Sequence, residues 1–234
     1  MSRIAAVVGL DTATEDTAVA ATRGGKVLFE SSTSPEAGGR PQHATQLLPE
    51  LVRAADAAGG WGSVGRLAVG VGPGSFTGLR IGLATAEGLA RALGVELVGV
   101  GTLAALARDA APHPGRSVLA VLDARRDEVF AALYDLAGEQ LWAPLVADPR
   151  ELARRISQLT DPPLVVGSGA LRFRDELGKG GAEVPPEPDP SHRVAAREIC
   201  AIGSLADPDP EGIAPIYLRP PDAERWRDRH GPKS

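Results

Sequence analysis

The sequence predicts an α/β fold of two lobes built on one plan, duplicated βββαβα units, and three observations carry the prediction. From Val64 to Gly101 the apolar pattern runs strand, helix, strand, a unit that demands a right-handed parallel crossover. "SVLAVLDARRDEVFAALYDLAGEQL", from Ser117, repeats the order of "IAAVVGLDTATEDTAVAATRGGKVL", from Ile4: strand, Leu-Asp, polar turn, strand, glycine turn, strand. Leu10-Asp11 and Leu122-Asp123 take equivalent places about 112 residues apart, self-similarity that marks a repeated unit.

The elements follow in order. "IAAVVGLDTAT" reads as a buried strand ending at Asp11, "DTAVAATRGG" as a second and "KVLFESSTS" as a third after the Gly24-Gly25 turn, a meander. "HATQLLPELVRAADAAG" sets Leu47, Leu48, Leu51, Val52 and Ala55 at helical spacing until Gly59. "RLAVGVGPG" is a short buried strand, "SFTGLRIGLATAEGLARALG" a helix ended by Gly94, and "VELVGVG" another strand. After the repeated meander, "DPRELARRISQL" reads as a helix capped by Asp148, "PLVVGSGA" as a strand, and "SHRVAAREICAIGSLA" as a helix capped by Ser191. The proline-rich "GKGGAEVPPEPDP" between them reads as a mobile loop. "IAPIYLR" reads as a late strand and "DAERWRDRHGPKS" as a short terminal helix.

Composition bounds the function. With 234 residues, 43% hydrophobic and 24% charged, the chain can bury a core in one domain or two small lobes. A net charge of −5 supplies no global attraction for nucleic acid or an anionic membrane, so any RNA role would run through a partner. One cysteine, Cys200, makes no internal disulfide and no thiol metal site, which points to a reducing compartment. The opening "MSRIAAVVGLD" is apolar for too few residues to be a signal or a membrane span, and a cytoplasmic location is expected.

"VGVGPGSFTGLRIGLA", Val69 to Ala84, poses the question of whether its glycines hold a phosphate or serve packing. A dinucleotide fingerprint fails because Thr77 stands where the third glycine belongs, and Gly78 comes one residue late. A P-loop fails because Gly78 is followed by Leu79-Arg80. A helix start carrying Ser75 and Thr77 can still hold an anion through free N–H groups, so weak phosphate binding stays open. Along that helix Arg80, Glu87 and Arg91 form one narrow polar stripe and the rest is apolar, including the line Leu79, Leu83, Ala86, Ala90. A helix apolar nearly all round is covered on more than one side, by its own lobe or by a partner. Gly78 and Gly82 would let another backbone come close.

"GLDTAT", "HATQLLP", "GVGPGSFTGLRIG", "DARRDEVFAALY" and "PIYLR", in this order across almost the whole chain, resemble the bacterial TsaB (YeaZ) family. The resemblance implies a two-lobe actin-like fold of the sugar-kinase and Hsp70 type. An N-terminal lobe of residues 1–108, completed by about 213–230, and a C-terminal lobe of 109–212 are then expected. It also implies a non-catalytic partner of TsaD, the enzyme that transfers a threonylcarbamoyl group to the tRNA adenosine beside the anticodon. The ATPase TsaE belongs to the implied complex, TsaC makes the donor, and tRNA is met only through the complex. This subunit then needs no cofactor, while ATP is used by its partners.

Enzymes of the wider superfamily hold a metal-bound nucleotide with acids at hairpin turns, and Asp11 and Asp123 fit those places. Their turns, "DTATED" and "DARRDE", contain no glycine, which favours turn-forming aspartates over catalytic ones. An actin-like small-molecule kinase or nucleotide hydrolase using both acids is the alternative. The resemblance to TsaD places that enzyme's two metal-binding histidines at Thr102 and Leu106, and Leu106 has no donor atom. The four histidines, His43, His113, His192 and His230, are scattered, and no metal site is expected. The helices from His43 to Ala58 and from Phe76 to Leu93 are expected to form half of a four-helix bundle completed by TsaD or by a second copy. The expected contact residues are His43, Leu47, Leu48, Leu51, Ala55, Leu79, Arg80, Leu83, Ala86 and Glu87, with Asp11, Ser75 and Thr77 as residual nucleotide contacts.

Overall fold

The computed structural model describes residues 5–36, 39–110, 115–208 and 212–219. The first half forms β1 (Ala6–Asp11), β2 (Thr17–Arg23), β3 (Lys26–Thr33), α1 (His43–Ala57), β4 (Val64–Gly70), α2 (Phe76–Leu93), β5 (Glu96–Val100) and α3 (Thr102–Ala110). The second forms β6 (Val118–Asp123), β7 (Val129–Tyr134), β8 (Gln140–Ala147), α4 (Pro149–Ile156), β9 (Leu164–Val166), α5 (Ser168–Arg172), α6 (Arg174–Gly178) and α7 (Ala196–Leu205). The sheets run β3-β2-β1-β4-β5 and β8-β7-β6-β9, so the predicted repeat is present down to strand order. In each, the meander pairs antiparallel and the next strand joins its first strand in parallel. The strand β5 has no counterpart in the second sheet among the described residues.

Burial on both faces explains why the central strands are almost continuously apolar. On β1, Ala6, Val8 and Leu10 pack under α1 and α2, while Val7 faces the other way, toward α7. On β6, Leu119 and Val121 join the core under α4, and Val118, Ala120 and Leu122 join α3. Helix α3 comes from the first half and packs on β6 and β7; α7 comes from the second and packs on β1, β2 and β4. Close approach of α7 depends on Gly9, since a side chain there would strike Cys200 Sγ and the α7 backbone. Arg66 donates to the carbonyls of Gly203 and Ala206, 2.8 Å each, and secures the end of α7.

Three local expectations change. Ser191 does not cap the last helix: it sits in a 3-10 turn, Pro190–His192, whose cap is Asp189, and α7 starts only at Ala196. Arg193 and Ala195 are extended in between, a path that leaves Val194 in the core. The proline-rich segment is tied down, because Arg174 donates to the Val184 and Pro185 carbonyls and His192 Nε2 lies 2.9 Å from Pro185 O. "IAPIYLR" forms no strand: Ile216 N–H donates to Val71 O at 2.7 Å, and Pro215 has no N–H to continue a ladder. Helices α3, α5 and α6 are additional to the elements read from the sequence, α5 starting at Ser168 inside the stretch "PLVVGSGA" whose strand ends at Val166, and the terminal helix predicted in 222–234 lies outside the described residues.

Two glycines of α2 should respond with opposite sign. A methyl at Gly88 meets nothing within 4 Å, and Gly88→Ala should stabilise the chain by about 1 kcal/mol through helix propensity. At Gly78 the methyl would overlap the Thr12 carbonyl oxygen, and Gly78→Ala should cost about 3 kcal/mol. Urea-denaturation midpoints of the two variants check both signs.

Candidate functional site: the interlobe cleft and the outer helix pair

A cleft of about 1120 Å³ separates the turn after β1 and the glycine-rich loop from the β6–β7 hairpin. Its first wall is built on Asp11, which is fully buried. One carboxylate oxygen accepts the Ala13 amide at 2.8 Å and the other the Thr102 hydroxyl at 2.7 Å. Thr102 Oγ1 in turn accepts from Gly72 N at 3.1 Å, and Thr102 N donates to Gly72 O at 2.8 Å. Burial pushes the Asp11 carboxyl up to about 6, against the opposing effect of the Thr102 and Ala13 bonds. A side chain at Gly70 would overlap Asp11 Oδ2, and one at Gly74 would overlap Ala13. One at Gly82 would overlap Thr12 Oγ1, the hydroxyl that donates to Gly78 O at 2.8 Å.

The glycines therefore seat the turn after β1. Ser75 N is bonded to Ala13 O at 2.7 Å, and Ser75 Oγ caps the Gly78 amide at 3.2 Å. Thr77 is exposed at the cleft mouth. The close approach that Gly78 and Gly82 permit is thus to Thr12 of the same chain.

The opposite wall is the β6–β7 hairpin. Asp123 accepts the Arg125 amide at 2.8 Å and two bonds from Arg172 at 3.1 and 2.9 Å, a turn-organising role. Arg125, Arg126 and Asp127 have φ of 63°, 55° and 57°. Three consecutive side chains in the left-handed region cost about 1 kcal/mol each, so outside contacts must hold this turn. Arg172 also pairs with Asp127, and Arg125 reaches across the cleft to Glu15 at 2.5 Å.

The remaining candidates are structural. Thr102 serves the Asp11 clasp, and Leu106 is buried between α3 and the second sheet. His43 is buried, with Nδ1 2.8 Å from Thr17 Oγ1, and burial lowers its pKa. The His192 Nδ1 accepts the Gly167 amide at 3.1 Å. His113 and His230 lie outside the described residues. Among the described residues no three His, Cys, Asp or Glu side chains gather as a metal set, and no helix is long and apolar enough to cross a membrane. Cys200 is buried and pushed up to about 12 by desolvation.

On the outer side, α1 and α2 cover the first sheet, and the structure decides which line faces it. Leu47, Leu51, Ala55, Leu79, Leu83 and Ala86 are all buried within the chain, so their side chains are core and not a surface for another protein. The outward line on α1 is Leu48, 52% exposed, and Val52, 41% exposed. On α2, Arg80, Ala84, Glu87 and Arg91 are exposed. Of the ten expected contact residues, Leu48, Arg80 and Glu87 remain available at the surface.

The family model described as TsaD, tRNA N6-adenosine threonylcarbamoyltransferase, matches residues 30–158, more than half of the chain. The Escherichia coli (strain K12) protein named tRNA threonylcarbamoyladenosine biosynthesis protein TsaB is 34% identical over 226 residues, which cover 91% of this chain and 94% of that protein. The chain belongs to the TsaB (YeaZ) family. The TsaB protein of Bacillus subtilis (strain 168) is 31% identical over 173 residues, 69% of this chain and 72% of its own. The structure of YeaZ from Pseudomonas aeruginosa superposes with a TM-score of 0.72 at 28% identity, covering 92% of this chain and all of that one. A ROK hexokinase from Thermus thermophilus, 15% identical with a TM-score of 0.50 over 86% of this chain and 99% of its own, shares the fold alone. The TsaB-family fold is thus the two-lobe actin-like one. Within this TsaB-family chain the Asp11–Thr102 clasp escaped the sequence, because its halves lie 91 positions apart.

Asp11 gives the chain a specific pH dependence. Its folded pKa of about 6 exceeds the ordinary 3.8, so the folded state holds the proton more tightly. The stability contributed by that proton is present below about 4 and lost as pH rises through about 6, up to about 3 kcal/mol. Asp11→Asn should lack this loss, so wild-type stability minus variant stability should fall between pH 4 and pH 7. Urea titrations at both pH values check it, and a constant difference contradicts it.

Proposed function

We propose that the chain acts in tRNA threonylcarbamoyladenosine biosynthesis as a non-catalytic subunit that binds and activates TsaD. The observation that carries this reading is the contrast between the two surfaces. At the cleft, Asp11 and Asp123 are engaged in bonds that shape their own turns. On the outside, α1 exposes Leu48 and Val52, and α2 exposes Arg80, Glu87 and Arg91. The names of the Escherichia coli and Bacillus subtilis relatives supply the pathway, and the match to the TsaD family model supports kinship with the partner.

In this proposal α1 and α2 pack against the equivalent helix pair of TsaD, or against a second copy when TsaD is absent. Helices meeting at a shallow angle suit such a face. The complex also takes in TsaE, the donor comes from TsaC, and tRNA is reached through the assembly in the cytoplasm. No cofactor is required here, ATP being used by the partners. The lobes are taken as 1–108 with about 213–230, of which 220–230 lie outside the described residues, and 109–212, with α3 and α7 each packing on the sheet of the other lobe. A catalytic actin-like kinase or nucleotide hydrolase would bind ATP and magnesium by itself and turn over; the scaffold does neither.

Leu48→Asp should abolish co-elution with TsaD on gel filtration and leave the melting temperature of the chain alone near wild type. The change removes about 2 kcal/mol of apolar burial at the interface and leaves a carboxylate desolvated there. Leu51→Asp should instead collapse the fold, because Leu51 is fully buried. Binding by the Leu48 variant that matches wild type removes the helix-pair reading.

A further inference from the structure

The segment 212–219 crosses the cleft. At its first-lobe end Ile213 and Ile216 pack on the core under α1 and α2, and the Ile216 amide holds Val71 O, the residue just past β4. At its second-lobe end Arg219, with a side chain only 14% exposed, donates to Glu128 at 2.6 Å and to the Ala124 carbonyl at 2.5 Å. Those two residues close the β6–β7 hairpin on each other, Ala124 N to Glu128 O at 3.0 Å. The hairpin is the one that keeps three side chains in the left-handed region, and Arg219 bonds the residues on both sides of that run.

Between the two ends, the Tyr217 ring lies 5.2 Å from Phe76, the first residue of α2. The Arg80 guanidinium stands 3.9 Å from the centroid of the same Phe76 ring. Arg80 is exposed on the outer line of α2. A path thus runs from the outside of the first lobe through the side chains of Arg80, Phe76 and Tyr217, along the two backbone steps from Tyr217 to Arg219, and through the Arg219 side chain into the turn of the second lobe.

We infer that residues 213–219 are an interlobe strap that couples the outer face of α2 to the β6–β7 hairpin and to the opening of the cleft. Contact at Arg80 shifts Phe76, Phe76 shifts Tyr217, and the displacement reaches Arg219 and the hairpin it clamps. The coupling is reciprocal, so a ligand that fixes the hairpin also fixes the conformation presented by the start of α2. It holds whichever molecule covers α2, and stands independently of the partner assigned above.

The test is hydrogen-exchange mass spectrometry on the full chain, with Arg80→Ala, Tyr217→Ala, Arg219→Ala and the double variant Arg80→Ala/Arg219→Ala. Arg219→Ala should speed exchange of the bonded amides of Ala124, Arg125 and Glu128 by about tenfold. Arg80→Ala and Tyr217→Ala, neither of which removes a bond to the hairpin, should speed the same amides by about threefold or more, and the double variant should add little to Arg219→Ala alone. Normal hairpin exchange in Arg80→Ala and Tyr217→Ala, or fully additive effects in the double variant, overturns the strap. If Arg219→Ala does not fold, Arg219→Lys keeps the charge and loses the two-pronged reach, and the same hairpin amides report.

Discussion

A buried carboxylate organises the first lobe. Asp11 stands at the end of the central strand with no water to solvate it, so every acceptor site it offers must be met by the chain. The Ala13 amide shapes the turn that follows, and the Thr102 hydroxyl brings the start of α3 against the glycine-rich loop. Three stretches far apart in sequence, β1 with the turn after it, the loop at Gly70–Gly74 and α3, are thereby held to one point. Four glycines of "GVGPGSFTGLRIG" follow from this constraint: at Gly70, Gly74, Gly78 and Gly82 the side chain is missing where Asp11, Thr12 or Ala13 takes the space, whereas Gly72 lies against Leu79 and Ile216 with a φ of 96°.

The cleft walls are bonded to themselves. Groups that would meet a phosphate in a related fold are already bonded inside the chain, Ser75 to the first turn of α2 and Asp123 to Arg172. The hairpin facing them is held in a costly backbone shape by arginines. Among the described residues, the outside of α1 is one of the places that keep large apolar side chains exposed, at Leu48 and Val52. That division, a cleft whose acids are bonded within the chain and an exposed helix face, is the ground of the contact-based role proposed above.

Much of the fold was legible because its signals are local. The two Leu-Asp strand ends, the Gly94 stop and the Asp148 cap all depend on neighbours within a few residues. The helix-pair face was half legible: Leu47, Leu48, Leu51, Val52 and Ala55 stand at helical spacing, but Leu47 and Leu48 are adjacent in sequence, and only the position of the sheet decides that one is core and the other surface. Helices α5 and α6, five residues each, are shorter than the window in which a helical period can be seen. The missing glycine in its turn points to a turn-forming Asp11, and the bond from the Ala13 amide is of that kind. Its partner Thr102 stayed hidden, since a long-range hydrogen bond leaves no periodic trace. Arg219 closes the motif "PIYLR", but nothing in that motif tells which groups of the second lobe it bonds.

The exchanged helices bear on how the chain is made. Synthesis proceeds from the N-terminus, and every strand of the first sheet is complete by Val100. The face of that sheet which α7 covers, with Gly9 pressed against Cys200, has no cover until the residues up to Leu205 have been added. A growing chain therefore carries an unsealed apolar sheet through the making of the whole second half, and neither lobe is a finished folding unit on its own. Cutting the gene between the repeats would separate each sheet from a helix that closes it, so the duplicated plan behaves as one indivisible unit of inheritance and assembly.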